Sequence, residues 1–178
     1  MQFLRRPRTI GAIAPSSELL AKRMMLPIDF SSAACIVELG AGMGVFTEHL
    51  LRSREPQTTL LIFEINAGFH AALNKKFQGL ENIFILHQSA DQLERVLKDM
   101  QIDHVDYIVS GLPFASLPRT TTAAILDAAR SVLGHTGKLI LFQYSTLNAE
   151  LFATYFSRVA RERVIFNLPP AFVFVCQV

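Results

Sequence analysis

Long apolar runs are what this 178-residue chain most clearly lacks. Hydrophobic residues make up 51% of it and mean hydropathy is +0.32. Yet no stretch reaches the roughly 18 consecutive apolar residues of a membrane span. Arg5, Arg6, Pro7 and Arg8 stand where an apolar signal region would sit, so no secretory leader is expected. Cysteine is scarce. Cys35 and Cys176 lie inside apolar, strand-like runs and are expected as buried thiols of a reducing cytosol rather than as a disulfide. Net charge is also small, +2, too little for a large nucleic-acid partner. The five histidines, His49, His70, His87, His104 and His135, show no metal-ligand spacing and read as surface or loop residues. Nothing in the local sequence suggests a Ser-His-Asp or Cys-His arrangement, and repeats, linkers and low-complexity segments are absent. One domain spanning 1–178 is expected, with 1–30 as an N-terminal lid or membrane-contact segment.

What the chain does contain is an alternation. Strand-length apolar runs fall at Ala34–Leu39, Thr59–Ile65, Asn82–Gln88, Val105–Gly111 and Lys138–Ser145. Helical patterns follow them at about Val45–Arg54, Ala67–Phe77, Ala90–Met100, Thr120–Leu133 and Asn148–Phe156. Such alternation predicts a doubly wound, mostly parallel sheet with helices on both faces, whose buried strands explain the high apolar content. The end breaks the rule. "RVARERVIFN" and "PAFVFVCQV" are separated only by "LPP", too short for a parallel crossover, so at least one of these strands must run antiparallel. Five βα units followed by a hairpin is the pattern of a Rossmann-like methyltransferase fold rather than of a dehydrogenase.

The first strand ends at "ELGAGMG". Gly40, Gly42 and Gly44 allow positive φ and a close approach to a ligand. Glu38 lies just before them. Glu64 ends the second strand, about 20 residues beyond the turn, where an acid grips ribose hydroxyls. An acid beside the turn repels a pyrophosphate but pairs with an ammonium or sulfonium, so the expected ligand is S-adenosylmethionine rather than a dinucleotide.

"VELGAGMGVFTEHLL", "FEIN", "SGLPFASLP", the opening "FLRRPRTIGAIAPSSELLAKRMM" and the closing "VIFNLPPAFVFV" resemble the bacterial phospholipid N-methyltransferase family over almost the whole chain. The resemblance implies a peripheral enzyme of the inner membrane's cytoplasmic surface that acts as a monomer. It would methylate the amine of phosphatidylethanolamine, consuming S-adenosylmethionine and releasing S-adenosylhomocysteine. Carried over by position, Glu38, Gly40, Ala41, Gly42 and Gly44 would contact the methionine part, Glu64 the ribose, and Ile65 would pack near the adenine. Many such enzymes carry Gly-Asp-Ala after the third strand. This chain has Gln88-Ser89-Ala90, so Ser89 and Ala90 take that place, or Asp91 does if the register slips.

"SGLPF", Ser110 to Phe114, follows the fourth strand. Enzymes that methylate amines of nucleic-acid bases often place Asn or Asp before Pro-Pro or Leu-Pro and an aromatic, to draw the lone pair of an aryl amine out of conjugation and to stack the base. With Ser110 in place of the Asn, an alkyl amine is the better acceptor: its lone pair is localised, and it needs only desolvation and a route for its proton, which Ser110 with backbone carbonyls would provide. Phe114 would then face the developing ammonium, and Tyr144 is a further pocket candidate. Arg5, Arg6, Arg8, Lys22 and Arg23 outnumber Glu18 in the first 25 residues, and Leu19, Leu20, Met24 and Met25 share a helical face. Ser16 or Ser17 would cap that helix. It is expected either to pack as a lid or to meet anionic lipid. Two other functions stay open at this stage: an rRNA adenine N6-methyltransferase, and a binding module that keeps the donor pocket without turnover.

Overall fold

The run Cys35–Leu39, apolar except for Glu38, forms a strand (β1) buried at every position, as the interior of a parallel sheet requires. The computed structural model describes residues 15–167 and 169–178. Within them the elements run α1 (Pro15–Met25), β1, α2 (Val45–Ser53), β2 (Thr59–Phe63), α3 (Ala67–Lys76), β3 (Ile83–Leu86), α4 (Leu93–Asp99), β4 (Val105–Ser110), α5 (Arg119–Val132), β5 (Leu133–Gln143), α6 (Ala149–Tyr155), β6 (Arg158–Val164) and β7 (Ala171–Gln177). Short 3-10 turns at Ala90–Gln92 and Phe114–Ser116 precede α4 and α5.

The sheet order is β3-β2-β1-β4-β5-β7-β6. The first five strands are parallel, and β7 runs antiparallel between β5 and β6. The terminal hairpin expected from the short "LPP" linker is therefore present. Helices α1, α2 and α3 bury Leu20, Met24, Leu50 and Leu73 on one face of the sheet. Helices α4, α5 and α6 bury Leu93, Leu97, Leu126 and Phe152 on the other. Each such side chain contributes about 1.5–3 kcal/mol by leaving water. The winding reverses between β1 and β4, so the loops after these two strands open a crevice at the sheet's carboxyl edge.

Three local differences from the sequence reading have physical causes. β5 starts at Leu133, five residues earlier than expected, because Leu133 already pairs with Val105, and residues 134–137 form a register shift before Lys138 pairs with Tyr107. His49 is buried, its Nε2 lying 3.2 Å from Glu18 Oε2, so it joins α1 to α2 rather than sitting at the surface. α1 begins at Pro15, before the serines expected to cap it. Its Leu20, Met24 and Met25 are buried in the body of the domain. Of its cations, Lys22 pairs with Glu18 and Arg23 with Glu162 of β6 at 3.2 Å. Helix α1 is packed against α2 and the sheet, and its buried apolar residues are not turned outward. Arg5, Arg6 and Arg8 lie outside the described residues. Both cysteines are free and buried, and desolvation pushes each thiol up to about 12.

Candidate active site

Gly40, Gly42 and Gly44 have φ of +75°, +56° and +83°, so the first strand leaves the sheet through a turn that L side chains rarely adopt. Gly40 N donates to Phe63 O, and Gly111 N donates to Leu39 O, which ties the turn to the strands on either side. At Gly42 no atom lies within 4 Å of where a Cβ would stand, so the turn faces open space.

Both predicted acids converge here. Glu64 accepts from the backbone N–H of Gly42 and of Asn66, each at 2.7 Å. The first bond crosses from the tip of β2 to the glycine turn and shapes it. A carboxylate has about four acceptor sites, so room remains for ribose hydroxyls. Asn66 caps α3 by accepting from Gly68 N and Phe69 N, which directs the chain away from the crevice. Ile65, between them, is well exposed at the rim, as an adenine-packing residue would be.

Glu38 is fully buried. Its Oε2 accepts from Thr47 Oγ1 at 2.6 Å, and its Oε1 has no hydrogen-bond partner. Burial raises its carboxyl to about 7, against the pull of the Thr47 bond, and the neighbouring Glu64 adds a smaller upward push. A buried carboxylate with an orphaned oxygen beneath an open glycine turn is a site for a cation. The ammonium and sulfonium of S-adenosylmethionine fit that requirement. Ala41 is buried within the turn, and Ala90 is buried at the start of the 3-10 turn after β3. Ser89 precedes that turn in extended conformation and makes no side-chain cap. His87, two residues earlier, lies 2.9 Å from Ile65 O and stacks on His70, linking the tips of β2 and β3. Among the described residues no group of three or more His, Cys, Asp or Glu could hold a metal.

The acceptor side departs from expectation in two places. Ser110 does not line a pocket: it is fully buried as the last residue of β4, and its Oγ accepts from Leu112 N. The residue directly before Leu-Pro-Phe is Gly111, and a Cβ there would come within 2.7 Å of Gly40 O. The close approach of the two loops therefore leaves no room for an Asn or Asp. Phe114 is only 3% exposed. The 3-10 turn rotates its ring into the core, edge-on to Phe152 at 5.8 Å. It packs against the core and is not among the residues that line the pocket beside the loop.

Other groups line the pocket, of about 280 Å³, that opens beside this loop: Leu112, Pro113, Phe142, Tyr144 and Gln143 among them. Gln143 was not anticipated from sequence. It is buried; its Nε2 donates to Leu112 O at 3.0 Å and its Oε1 accepts from Ala115 N at 3.4 Å, clamping the loop from β5. A glutamine ending an apolar strand was the available signal. A larger hollow of about 400 Å³ between α3 and β3 contains none of the residues singled out above.

Known proteins extend this picture. The family model described as methyltransferase small domain matches residues 10–162. An ornithine lipid N-methyltransferase of Singulisphaera acidiphila is 25% identical over 177 residues, covering 99% of this chain and 92% of that protein. A ribosomal RNA small subunit methyltransferase A of Borreliella burgdorferi is 31% identical over 99 residues, 55% of this chain and 32% of its own length. The chain thus spans about a third of that relative. Among solved structures, the N-methyltransferase NodS from Bradyrhizobium japonicum superposes with a TM-score of 0.69 at 16% identity, covering 92% of this chain and 97% of that one. An rRNA methylase from Streptococcus thermophilus gives 0.65 at 12% identity, covering 94% and 99%. With its strand order, its glycine turn over a buried acid and a family match over most of its length, this chain belongs to the methyltransferase small domain family and is an S-adenosylmethionine-dependent methyltransferase.

Proposed function

We propose that the chain methylates the primary amine of a membrane-lipid headgroup, with phosphatidylethanolamine or a related aminolipid as acceptor. One observation carries this: position 111, directly before Leu-Pro-Phe, has no space for a side chain, and Ser110 is turned inward. At the position before Leu-Pro-Phe the loop therefore offers no Asn or Asp to pull the lone pair of an aryl amine out of conjugation, which an alkyl amine does not require. The near-full-length likeness to an ornithine lipid N-methyltransferase supports the same acceptor class.

S-adenosylmethionine, when bound, supplies an electrophilic methyl group on a sulfonium. Glu38 would hold its cationic end, the Gly40–Gly44 backbone its methionine part, and Glu64 its ribose. The chain's remaining task is the acceptor. A headgroup ammonium has a pKa of roughly 10 in water and must shed its proton before it can attack. Leu112, Pro113 and Phe142 line the pocket with apolar surface, which favours the neutral amine. Gln143, donating to Leu112 O, fixes the Gly111–Pro113 loop that the amine would approach. In-line displacement then depends mainly on positioning.

Ribosomal RNA is the alternative acceptor, favoured by the part-length likeness to a ribosomal RNA methyltransferase. The test is transfer of labelled methyl from S-adenosylmethionine to phosphatidylethanolamine vesicles, ornithine lipid micelles and purified ribosomal RNA. Label in either lipid supports the proposal; label in the RNA alone overturns it.

A further inference from the structure

At the carboxyl edge the chain turns bulky apolar side chains into solvent at two neighbouring tips. Beyond β5, Tyr144 is 54% and Leu147 83% exposed; beyond β6, Ile165 is 62% and Phe166 85% exposed. Gln143, Phe172 and Arg163 share one rung across β5, β7 and β6. The tips therefore leave the same edge of the sheet two strands apart, about 10 Å at ordinary strand spacing. The acceptor pocket opens at the first of them, since Gln143 and Tyr144 line it.

Cations flank the second tip. Arg161 and Arg163 are exposed on β6, and Arg163 lies over the Phe172 ring at 5.9 Å. The one acid of that strand, Glu162, is paired with Arg23. An apolar tip above a basic strand matches an anionic bilayer, in which aliphatic and aromatic side chains enter the acyl boundary while guanidinium groups meet phosphate. Leu147 and Ile165 have no π-face on which a base could stack, so single-stranded nucleic acid matches the surface less well.

We propose that this rim, formed by Leu147, Ile165 and Phe166 with Arg161 and Arg163 beside them, is the surface by which the enzyme docks on an anionic bilayer. The inference rests on the lipid acceptor proposed above and gives that acceptor its route: docking here brings the headgroup layer to the mouth of the Leu112–Tyr144 pocket. The apolar face of α1, by contrast, is occupied by the core.

Vesicles of phosphatidylglycerol and phosphatidylcholine contain no primary amine to methylate, so they report docking alone. Wild type should sediment with them, less as salt rises. The triple variant Leu147→Ser, Ile165→Ser, Phe166→Ser should partition about tenfold more weakly or worse, with an unchanged melting temperature. Arg161→Gln with Arg163→Gln should flatten the salt dependence. Toward monomeric dihexanoyl phosphatidylethanolamine, which requires no docking, the triple variant should keep wild-type turnover. Equal sedimentation of variant and wild type overturns the proposal, as does wild type that ignores these vesicles or binds single-stranded RNA in their place. Failure of the lipid acceptor itself reads differently, as absence of methyl transfer to the monomeric lipid by wild type.

Discussion

Beyond β1 and β2, the carboxyl edge keeps its charges inside: Glu38 is fully buried with one oxygen unpartnered, and Glu64 is held by two backbone N–H groups. Beyond β5 and β6, the same edge turns Leu147 and Phe166 outward and leaves arginines beside them. Burying a lone carboxylate is costly unless a cation arrives. Exposing large apolar side chains side by side is wasteful unless an apolar surface arrives. The two halves of one edge thus carry opposite unmet needs. One is met by a cationic cosubstrate, and the proposed bilayer would meet the other.

The largest expected effect lies between these halves. Phe114→Ala should destabilise the protein by about 3–5 kcal/mol, the usual cost of truncating a core aromatic, with acceptor KM unchanged in whatever fraction stays folded. Thermal unfolding together with steady-state kinetics checks this. A stable variant with a raised KM would return Phe114 to the acceptor site and blur the contrast.

Glu38 comes next, and its sign is definite. Its folded pKa of about 7 lies above the ordinary 4.5. The folded, unliganded protein therefore binds the proton more tightly than the unfolded chain does, and loses stability as pH rises from about 4.5 through 7. The penalty above pH 7 is about 3 kcal/mol. Glu38→Gln should abolish this loss, raising the melting temperature of the unliganded protein at pH 8. It should also weaken S-adenosylmethionine by about 2 kcal/mol through loss of the charged partner. In wild type, donor affinity should rise with pH across the same window, because only the ionised carboxylate pairs with the donor's cation. Calorimetry at several pH values reads both effects, and a flat profile in wild type would remove Glu38 from the site.

A smaller change is expected from Glu64→Ala, which should cost donor binding about 1–3 kcal/mol. Part of that loss comes through the Gly42 and Asn66 N–H groups left without their acceptor. Unchanged affinity by calorimetry would restrict Glu64 to shaping the turn. The smallest effects belong to α1. Its ion pairs, Lys22 with Glu18 and Arg23 with Glu162, are largely exposed, and replacing either cation by Ala should change stability by less than about 1 kcal/mol. Vesicle binding should respond less to these changes than to loss of Phe166. The reverse order would move the docking surface to the N-terminal helix.

The donor half was legible in the sequence because its chemistry is local. A strand, a glycine turn, a helix and an acid at the next strand end occur in fixed order, and the backbone then has few options. The hairpin was legible because three residues cannot make a parallel crossover. The acceptor half was less so. Whether Phe114 faces a pocket or the core is decided by one 3-10 turn, and Ser110 turns inward because Leu112 N needs an acceptor. Gln143 acts on a loop 28 and 31 residues away, a contact that no spacing announces. The apolar stripe on α1 was visible, but amphipathic periodicity does not say whether such a stripe meets a membrane or the protein's own core. Here it meets the core.

The central claim is that the acceptor is a lipid amine. It is tested most directly by producing the protein in a host whose membrane is rich in phosphatidylethanolamine but lacks its methylated forms, and analysing the extracted lipids by mass spectrometry. The account predicts phosphatidylethanolamine species heavier by one or more methyl-for-hydrogen replacements with the wild type, and a much smaller amount with Glu38→Gln. Unaltered lipids together with newly methylated adenine in the ribosomal RNA would contradict it.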